Sequence, residues 1–428
     1  GGPHAVVNVR RLALAVLCDV TDGGAYANLR LKQAQAGLDE TDARFLSALL
    51  YATLDHLLYL DHILAAYAPQ RQKKAVRAIL RLGACELLFL RTPPHAAVSE
   101  YVSLCRSLGK GAVAGFVNAV LRRIDRERDA LPPLPEAADE RLSVRYSYPL
   151  WLARMWMHER GAQEAKRLMA CPPLPQCVRP QYPETVAGLL AALPCPAERG
   201  RMDPNCLRLG RGLDVTACAP FLSGRMAVQG EGAMLACRAL GDCRGLRVLD
   251  ACAAPGGKSA YIASLAENDV ALTCFELHEH RAALLARTLD RLHVAARIER
   301  RDAAAFDPSF SDAFDAVLVD APCSGLGLLT GKPDLRYGKT AADIDALAAL
   351  QSAILDTCAR YVRPGGLLVY ATCTISAREN EAQVAAFLAR RADFIPDRLP
   401  FADGASLQLL PHVHGTEGFY MARMRRCT

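Results

Sequence analysis

Apolar residues in the first part of the chain recur at the spacing of amphipathic helices. The clearest stripe lies between Arg71 and Leu90, and similar patterns cover residues 6–20, 41–60, 96–108 and 115–125. The stripe is formed by Val76, Ile79, Leu80, Gly83 and Leu87. A Leu-Pro-Pro-Leu-Pro run at 131–135 then interrupts the pattern as a linker would. The spacing predicts an all-helical domain over residues 1–130 and a linker over residues 131–139.

From about residue 225, short apolar runs alternate with helical patterns. The predicted strands are Arg247–Asp250, Val270–Phe275, Arg297–Arg300, Ala316–Asp320, Leu367–Ala371 and Gly418–Met424. The predicted helices are one that ends near Ala266, His278–Leu292, Asp343–Val362 and Glu379–Ala389. This alternation is typical of an α/β domain with a doubly wound, mostly parallel sheet, here over residues 226–428. Residues 140–225 are mixed and rich in proline, which predicts a small α+β connecting domain.

The positive charge is concentrated near the N-terminus. The 428-residue chain has a formal net charge of +6, and residues 1–130 hold 17 Lys and Arg against 12 Asp and Glu. A basic helical domain on a nearly neutral body favours a polyanionic partner, although a solvated basic surface is an equal alternative. Lys73, Arg77 and Arg81 share one helical face, where they either contact phosphates or are simply solvated.

The cysteine pattern gives no sign of a zinc or thioredoxin-like site. The chain has 16 cysteines, and no two of them are spaced as Cys-x-x-Cys. The N-terminus lacks the apolar segment of a secretory signal, and no run of about 18 apolar residues is present to span a membrane. We therefore expect a monomeric cytoplasmic protein with reduced thiols, no bound metal and no membrane segment.

A glycine-containing loop joins the first predicted strand of the sheet to the next helix. Its residues are Cys252, Ala253, Ala254, Pro255, Gly256, Gly257, Lys258 and Ser259. Glycines let the backbone approach a ligand, and the helix N-terminus offers free N–H groups. The end of the loop fits a P-loop, but Cys252 stands where that motif requires its first glycine, and the Gly-x-Gly-x-x-Gly motif of dinucleotide sites is absent. The loop suits S-adenosylmethionine, which has no phosphate.

Acidic residues at the ends of the next two strands support a cofactor site. Glu276 can accept hydrogen bonds from a ribose diol, and Asp302 can face an adenine edge. Each acid alone would be an ordinary surface carboxylate. Together they lie at successive carboxyl ends of strands, where sheets of this kind bind ligands, and they favour cofactor binding.

Two cysteines follow the ends of later strands. Cys323 lies in the run Asp320–Gly325 after the fourth strand, and Cys373 lies in Ala371–Thr374 after the fifth. Two buried structural thiols are the ordinary interpretation of such residues. Here both are expected at the edge of the sheet that binds the cofactor, which indicates a catalytic pair.

A cysteine pair suits methylation of cytosine at C5. A thiolate that adds to C6 makes C5 able to take a sulfonium methyl group, and a base must then remove the C5 proton so that the thiolate leaves. The second cysteine can be that base. Asp320 can hydrogen-bond the cytosine at N3 and N4, and Lys258 can lower the pKa of the reactive thiol. The residues alone do not decide which cysteine attacks.

These motifs resemble those of the RsmB/Sun (Fmu) family of bacterial 16S rRNA cytosine-C5 methyltransferases, within the RsmB–Nop2–NSun superfamily. The matching stretches are Cys252–Ser259 (CAAPGGKS), Asp320–Gly325 (DAPCSG), Lys332–Arg336 (KPDLR), Ala371–Thr374 (ATCT), Glu379–Glu381 (ENE) and Gly418–Arg423 (GFYMAR). The resemblance implies a class I, Rossmann-like methyltransferase domain. It implies that Cys373 is the nucleophile and that Cys323 assists release, whereas DNA cytosine methyltransferases attack with the cysteine of the Pro-Cys motif. The S-adenosylmethionine site would comprise residues 252–258, Glu276, Asp302 and Asp320.

The N-terminal region resembles the NusB-like RNA-binding domain of the same family. The matching parts are Arg81–Gly83 (RLG), Pro94–Glu100 (PHAAVSE) and Phe116–Arg122 (FVNAVLR). This resemblance implies 16S rRNA or a small-subunit precursor as the partner. Lys332 and Arg336 join Lys73, Arg77 and Arg81 as candidate RNA-binding residues.

The connecting segment departs from the family pattern. Gln229–Gly232 (QGEG) stands where QDEAS is usual, and Val178–Pro180 (VRP) stands near an expected Arg-Val-Asn. The RNA contacts expected from this segment do not carry over.

Other functions compete with rRNA methylation. The same chemistry on tRNA is one, and a non-catalytic rRNA-binding assembly factor on a methyltransferase fold is another. Intact cofactor and cysteine motifs argue against the second. Nucleotide hydrolysis through Gly257–Ser259 conflicts with the missing first glycine of a P-loop.

Overall fold

A computed structural model describes residues 8–210 and 213–428, so the predicted start of the first helix at residue 6 lies outside the described residues. The described chain forms two compact units. One contains the residues up to Ala170 together with Lys332–Lys339, and the other contains Cys171–Gly331 and Thr340–Thr428.

The first unit is built from helices. They are α1 (Val9–Thr21), α2 (Ala27–Ala34), α3 (Glu40–Asp55), α4 (Leu57–Tyr67), α5 (Lys74–Phe89), α6 (Pro94–Ser107), α7 (Gly111–Arg126), α8 (Ala138–Tyr146), α9 (Leu150–Arg160) and α10 (Ala162–Met169). The all-helical prediction for the N-terminal region is confirmed. The segment predicted as one helix over residues 41–60 is divided at His56 into α3 and α4.

Helix α5 forms the core of this unit with its predicted apolar stripe. It packs so closely on α7 at Gly83 that a Cβ there would lie 2.7 Å from Cδ1 of Leu121. Glu86 of α5 is fully buried, where it accepts hydrogen bonds from Nε of Arg10 at 3.0 Å and from the hydroxyl of Tyr101 at 2.7 Å. These partners compensate the cost of burying the carboxylate.

The segment Lys332–Lys339 is an integral part of the helical unit. Arg336 is 6% exposed, and its Nη2 lies 3.0 Å from Oδ1 of Asp55. The hydroxyl of Tyr337 donates to the carbonyl oxygens of Leu54 and Ser147 at 3.1 and 2.9 Å. The guanidinium of Arg336 is buried and held by these helices, so a structural role competes with the predicted RNA contact.

The boundary between the units differs from the predicted domain boundary. Residues 131–137 have no helix or strand, in keeping with a connection, but the helices α8, α9 and α10 that follow belong to the first unit. Tyr148 and Trp156 are almost fully buried there, with ring centroids 5.3 Å apart. This apolar packing places residues 140–170 with the helical unit, whereas the proline-rich composition had suggested a separate connecting domain.

The second unit begins with a small antiparallel sheet. Its elements are β1 (Cys177–Pro180), α11 (Val186–Ala192), β2 (Ala197–Arg199), β3 (Leu207–Leu209), α12 (Ala219–Leu222) and β4 (Met226–Val228). The strands lie in the order β2-β3-β1-β4. Helix α13 (Glu231–Arg238) then leads into the main sheet.

The main sheet has the predicted α/β alternation. Its elements are β5 (Arg247–Asp250), α14 (Gly257–Leu265), β6 (Ala271–Glu276), α15 (Glu279–Arg291), β7 (Arg297–Arg300), β8 (Phe314–Asp320), α16 (Ala341–Ala359), β9 (Val362–Thr372), α17 (Glu381–Arg390), β10 (Phe394–Pro396), β11 (Ser406–Leu409), α18 (Pro411–His414) and β12 (Phe419–Arg426). The strand order is β10-β12-β9-β8-β5-β6-β7, and β11 also pairs with β12. Strands β5 to β9 are parallel, whereas β12 runs antiparallel to β9, β10 and β11.

Alternating residues of the central strands bury the two faces of this sheet. Val248 and Leu318 belong to one apolar cluster, with residues of α13, α14 and α15, and Leu249 and Val317 belong to the other, with residues of α16 and α17. Both faces are covered, which explains why these strands are almost continuously apolar. Within the described ranges, no helix is both long and apolar enough to cross a bilayer.

We expect the Arg336→Ala substitution to destabilise the helical unit by about 2–3 kcal/mol, because it leaves the half-buried Asp55 without its guanidinium partner. Calorimetric melting of the full chain measures the effect. The matched control is Lys332→Ala in the same segment, where the side chain is exposed and a change of at most about 0.5 kcal/mol is expected. Unchanged melting with weakened RNA binding would restore Arg336 as an RNA ligand.

Candidate active site

The parallel strands bring the predicted site residues to one edge of the sheet. Asp250 pairs in register with Leu318 of β8, and Asp320 at the end of β8 pairs with Ala371 of β9. The loops that follow these strands carry the glycines and both cysteines of the sequence motifs. Strand register therefore places the predicted cofactor loop beside the two cysteine loops.

The loop after β5 is shaped by Gly256. This residue has φ +107°, and a Cβ on it would lie 3.0 Å from Cδ1 of Leu285 on α15, so glycine alone fits both the backbone and the space. Gly257 begins α14, and the nearest atom to a Cβ built there is Oε1 of Gln229 at 4.0 Å. The backbone is thus approachable at the start of the helix.

Glu276 at the end of β6 is a buried carboxylate. It is 5% exposed, and its Oε1 accepts a hydrogen bond from the amide of His278 at 3.0 Å. Nε of Arg281 lies 3.6 Å from Oε2 of Glu276, and Nη2 of Arg281 donates to the carbonyl oxygen of Ala254 at 3.1 Å. Arg281 therefore links Glu276 to the cofactor loop. The sequence offered no signal for this role of Arg281, because it lies among other charged residues on α15.

Asp302 lies after β7, next to β6 in the sheet. It is exposed, and its Oδ1 accepts a hydrogen bond from the amide of Ala304 at 2.9 Å. This hydrogen bond stabilises the turn after β7.

The side chain of Arg179 on β1 supports the cofactor loop by a hydrogen bond to its backbone. Arg179 was not among the predicted site residues. It is fully buried, donates to Oε1 of Gln229 and Gln181 at 2.7 Å each, and reaches the carbonyl oxygen of Gly257 at 3.2 Å. Burial lowers the pKa of Arg179 to about 10. An arginine inside the short apolar strand Val178–Pro180 was the available sequence signal, although its partners follow only from the fold.

The residues around the loop fit S-adenosylmethionine. Nε2 of Gln229 is a buried donor for which the described residues provide no partner, and it lies beside the start of α14. Glu276 supplies an acceptor, and the space over Gly257 admits close approach of a ligand. Gln229 can donate to the carboxylate of the cofactor, and Glu276 can accept hydrogen bonds from its ribose diol.

Lys258 and Asp320 form an ion pair at the edge of the site. Nζ of Lys258 lies 2.5 Å from Oδ2 of Asp320, and both side chains are about one-fifth exposed, at 19% and 22%. Burial opposes the charge on Lys258, but the neighbouring Asp320 carboxylate outweighs it and raises the pKa of the amine. Lys258 therefore stays cationic, and Cys373 is among the groups that interact with its charge.

The side chains of the two predicted catalytic cysteines are in contact. Sγ of Cys323 lies 3.3 Å from Sγ of Cys373, although the residues are 50 positions apart. Both thiols are half-buried. The hydrogen bond with Cys373, together with burial, raises the pKa of the Cys323 thiol well above its usual value. Either sulfur atom can be the donor in this contact.

The predicted RNA-binding residues have different environments in the helical unit. Lys73 and Lys332 are exposed. Arg77 and Arg81 both bind Asp61, with Nη2–Oδ2 distances of 2.7 and 2.8 Å. The two arginines share one carboxylate, so this face keeps a surplus of positive charge.

No group of three or more His, Cys, Asp or Glu residues suited to a metal occurs within residues 8–210 and 213–428.

Two family models match different parts of this chain. The family model described as 16S rRNA methyltransferase RsmB/F matches residues 239–425, and the NusB family model matches residues 7–126. A probable ribosomal RNA small subunit methyltransferase B of Bacillus subtilis (strain 168) is 36% identical, over 98% of this chain and 99% of that protein. The ribosomal RNA small subunit methyltransferase B of Xylella fastidiosa (strain 9a5c) is 35% identical, over 96% of this chain and 99% of its own length.

Solved structures share the fold. The crystal structure of PH0851 has a TM-score of 0.82 at 23% identity, and the match covers 99% of this chain and all of that one. NSun6 from Pyrococcus horikoshii, solved with SFG, has a TM-score of 0.59 at 21% identity, over 65% of this chain and 98% of its own. Relatives more than 30% identical over nearly the whole chain show that it belongs to the RsmB/F family of ribosomal RNA small subunit methyltransferases.

Proposed function

We propose that the protein transfers a methyl group from S-adenosylmethionine to C5 of a cytosine in 16S rRNA through a covalent adduct on Cys373. The observation that carries the proposal is the contact of two thiols, 3.3 Å apart, beside a loop that fits the cofactor. Covalent catalysis at a pyrimidine needs one thiolate and one base, and the pair supplies both.

Cys373 is assigned as the nucleophile on electrostatic grounds. The hydrogen bond with Cys373 and burial raise the pKa of the Cys323 thiol, which favours its protonated form, while Cys373 interacts with the cationic Lys258. A thiolate is stabilised by a hydrogen-bond donor and by a nearby cation. The family resemblance gives the same assignment.

In the first step Cys373 forms a bond from Sγ to C6, and the electron pair of the C5–C6 double bond moves towards C5. The Asp320 carboxylate accepts a hydrogen bond from the N4 amino group of the cytosine and holds the ring over the thiol. When bound, S-adenosylmethionine would supply its sulfonium methyl group to C5, and the electron pair of the broken carbon–sulfur bond would remain on a neutral thioether.

Cys323 acts in the release step. Once Sγ of Cys373 is bonded to carbon, it is no longer an anion, so the main cause that raises the pKa of Cys323 is gone. Cys323 then gives up its own proton to solvent and takes the proton from C5. The C5–H electron pair restores the double bond, and the Cys373–C6 bond breaks to return the thiolate.

The substrate class rests on the family and on the basic helical unit. Lys73 and Lys332 are the exposed candidates for phosphate contacts, and Arg77 and Arg81 add positive charge around Asp61. Transfer of labelled methyl groups to under-modified 16S rRNA, followed by bisulfite sequencing, tests the proposal. Label on tRNA alone, or cofactor binding without turnover on any RNA, would contradict it.

The two cysteines are expected to give opposite phenotypes. Cys373→Ala should lower methyl transfer at least about a thousandfold, because no adduct forms. Cys323→Ala should accumulate a protein–RNA adduct that survives a denaturing gel, since the release base is missing. Cys427→Ser, at an exposed thiol, is the control and should behave as the unmodified protein. Reversed phenotypes would exchange the two roles.

Cofactor affinity should depend on Glu276. We expect Glu276→Ala to weaken S-adenosylmethionine binding about 10- to 100-fold, which corresponds to the loss of a charge-assisted hydrogen bond of about 1.5–3 kcal/mol. Titration calorimetry measures the change. Glu279→Ala, three residues on with a side chain that is 81% exposed, is the matched control. Equal affinity in both variants would remove Glu276 from the cofactor site.

A further inference from the structure

One buried acid beside the catalytic loops has no part in the chemistry described so far. Glu379 follows the Cys373 loop, precedes α17 and is fully buried. Buried carboxylates are costly unless donors surround them. The donors around Glu379 come from both cysteine loops.

Glu379 joins the residue after Cys323 to the residue after Cys373. Its Oε1 accepts a hydrogen bond from the amide of Ser324 at 2.8 Å, and its Oε2 accepts from the hydroxyls of Ser324 at 2.5 Å and Thr374 at 3.3 Å. The two hydroxyl oxygens are themselves 2.8 Å apart.

Gln351 of α16 extends this connection. Its Nε2 donates to Oε1 of Glu379 at 3.1 Å and to the carbonyl oxygen of Pro322, the residue before Cys323, at 2.9 Å. Glu379 therefore holds the residue after Cys323 directly, and it holds the residue before Cys323 through Gln351.

The Cys373 loop has supports that are independent of Glu379. Nδ2 of Asn380 donates to the carbonyl oxygen of Thr374 at 3.0 Å, and the amide of Gly327 donates to the carbonyl oxygen of Cys373 at 3.0 Å. Loss of the Glu379 carboxylate removes two short hydrogen bonds from Ser324 but a single longer one from Thr374, so it loosens the Cys323 loop more than the Cys373 loop.

We propose that Glu379 is a positioning residue that holds the Cys323 thiol beside the Cys373 thiol for release of the methylated RNA. The inference rests on the proposed function, because it concerns the second step of that reaction. A carboxylate suits this role because it accepts from an amide and two hydroxyls of different loops at once.

The test compares Glu379→Ala with Glu379→Gln in the full chain, using labelled S-adenosylmethionine and under-modified 16S rRNA. The alanine variant should turn over about 100-fold more slowly, because a displacement of the Cys323 thiol by about 1 Å is enough to cause a loss of that size. It should also accumulate covalent protein–RNA adduct, because attack by Cys373 persists while release is impaired. The glutamine variant should keep turnover within about tenfold, since its amide oxygen accepts from Ser324 and its nitrogen donates to a rotated hydroxyl.

Gln383→Ala is the matched control for disruption of a buried polar residue nearby. Gln383 lies on α17 and donates to the carbonyl oxygen of Ala348 at 2.5 Å, away from the thiols. It should show no adduct. If Glu379→Ala fails to fold, Ser324→Ala removes the hydroxyl contact alone and should still accumulate adduct.

Two results would overturn the inference while leaving the proposed function intact. One is an alanine variant with normal turnover and no adduct. The other is a glutamine variant as impaired as the alanine variant, which would make the negative charge, rather than the hydrogen bonds, the important property. Absence of methylation by the unmodified protein would instead refute the proposed function itself.

Discussion

The parallel pairing of β8 with β9 is the constraint on which the active site depends. Asp320 lies in register with Ala371, so the loops that leave these strands start side by side. Three residues after Asp320 and two after Ala371, the chain reaches Cys323 and Cys373, whose sulfur atoms lie 3.3 Å apart. A shift of one residue in this register would turn every side chain to the opposite face and separate the thiols. The apolar packing on both faces of the sheet thus fixes the chemistry at its edge.

Charge then makes the two thiols unequal. The Lys258–Asp320 pair, at 2.5 Å, keeps a cation at the side of the site that interacts with Cys373. Glu379 is among the causes that raise the pKa of Cys323. Two chemically identical side chains thereby have different surroundings, and burial strengthens the effect of those neighbours on each thiol. The proposed separation of nucleophile and base rests on these surroundings and cannot be found in the cysteines alone.

The sequence pointed to candidate site residues but not to the side chains that hold them in place. Strand ends and loop motifs are local patterns, so Glu276, Asp320 and both cysteines could be proposed from the residues near them. Arg336 is harder to interpret, because an arginine in a polar motif looks the same whether it contacts phosphate or Asp55, 281 positions away. Arg179 and Glu379 stood in sequence motifs but received no role for the same reason. Their importance depends on partners from other elements, which spacing along the chain does not reveal.

Attack and release place opposite demands on one pair of thiols. Attack needs a hydrogen-bond donor beside the anion, whereas release needs a base beside the carbon next to the one attacked. Because C5 is bonded to C6, a group that touches the attacking sulfur is also near the C5 proton. A single close contact can therefore serve both steps, provided that the second thiol changes its protonation between them. In the proposed mechanism, formation of the adduct supplies this change, because it ends the interaction with the Cys373 thiolate that raises the pKa of Cys323. The order of the two steps is thus built into the contact between the sulfur atoms.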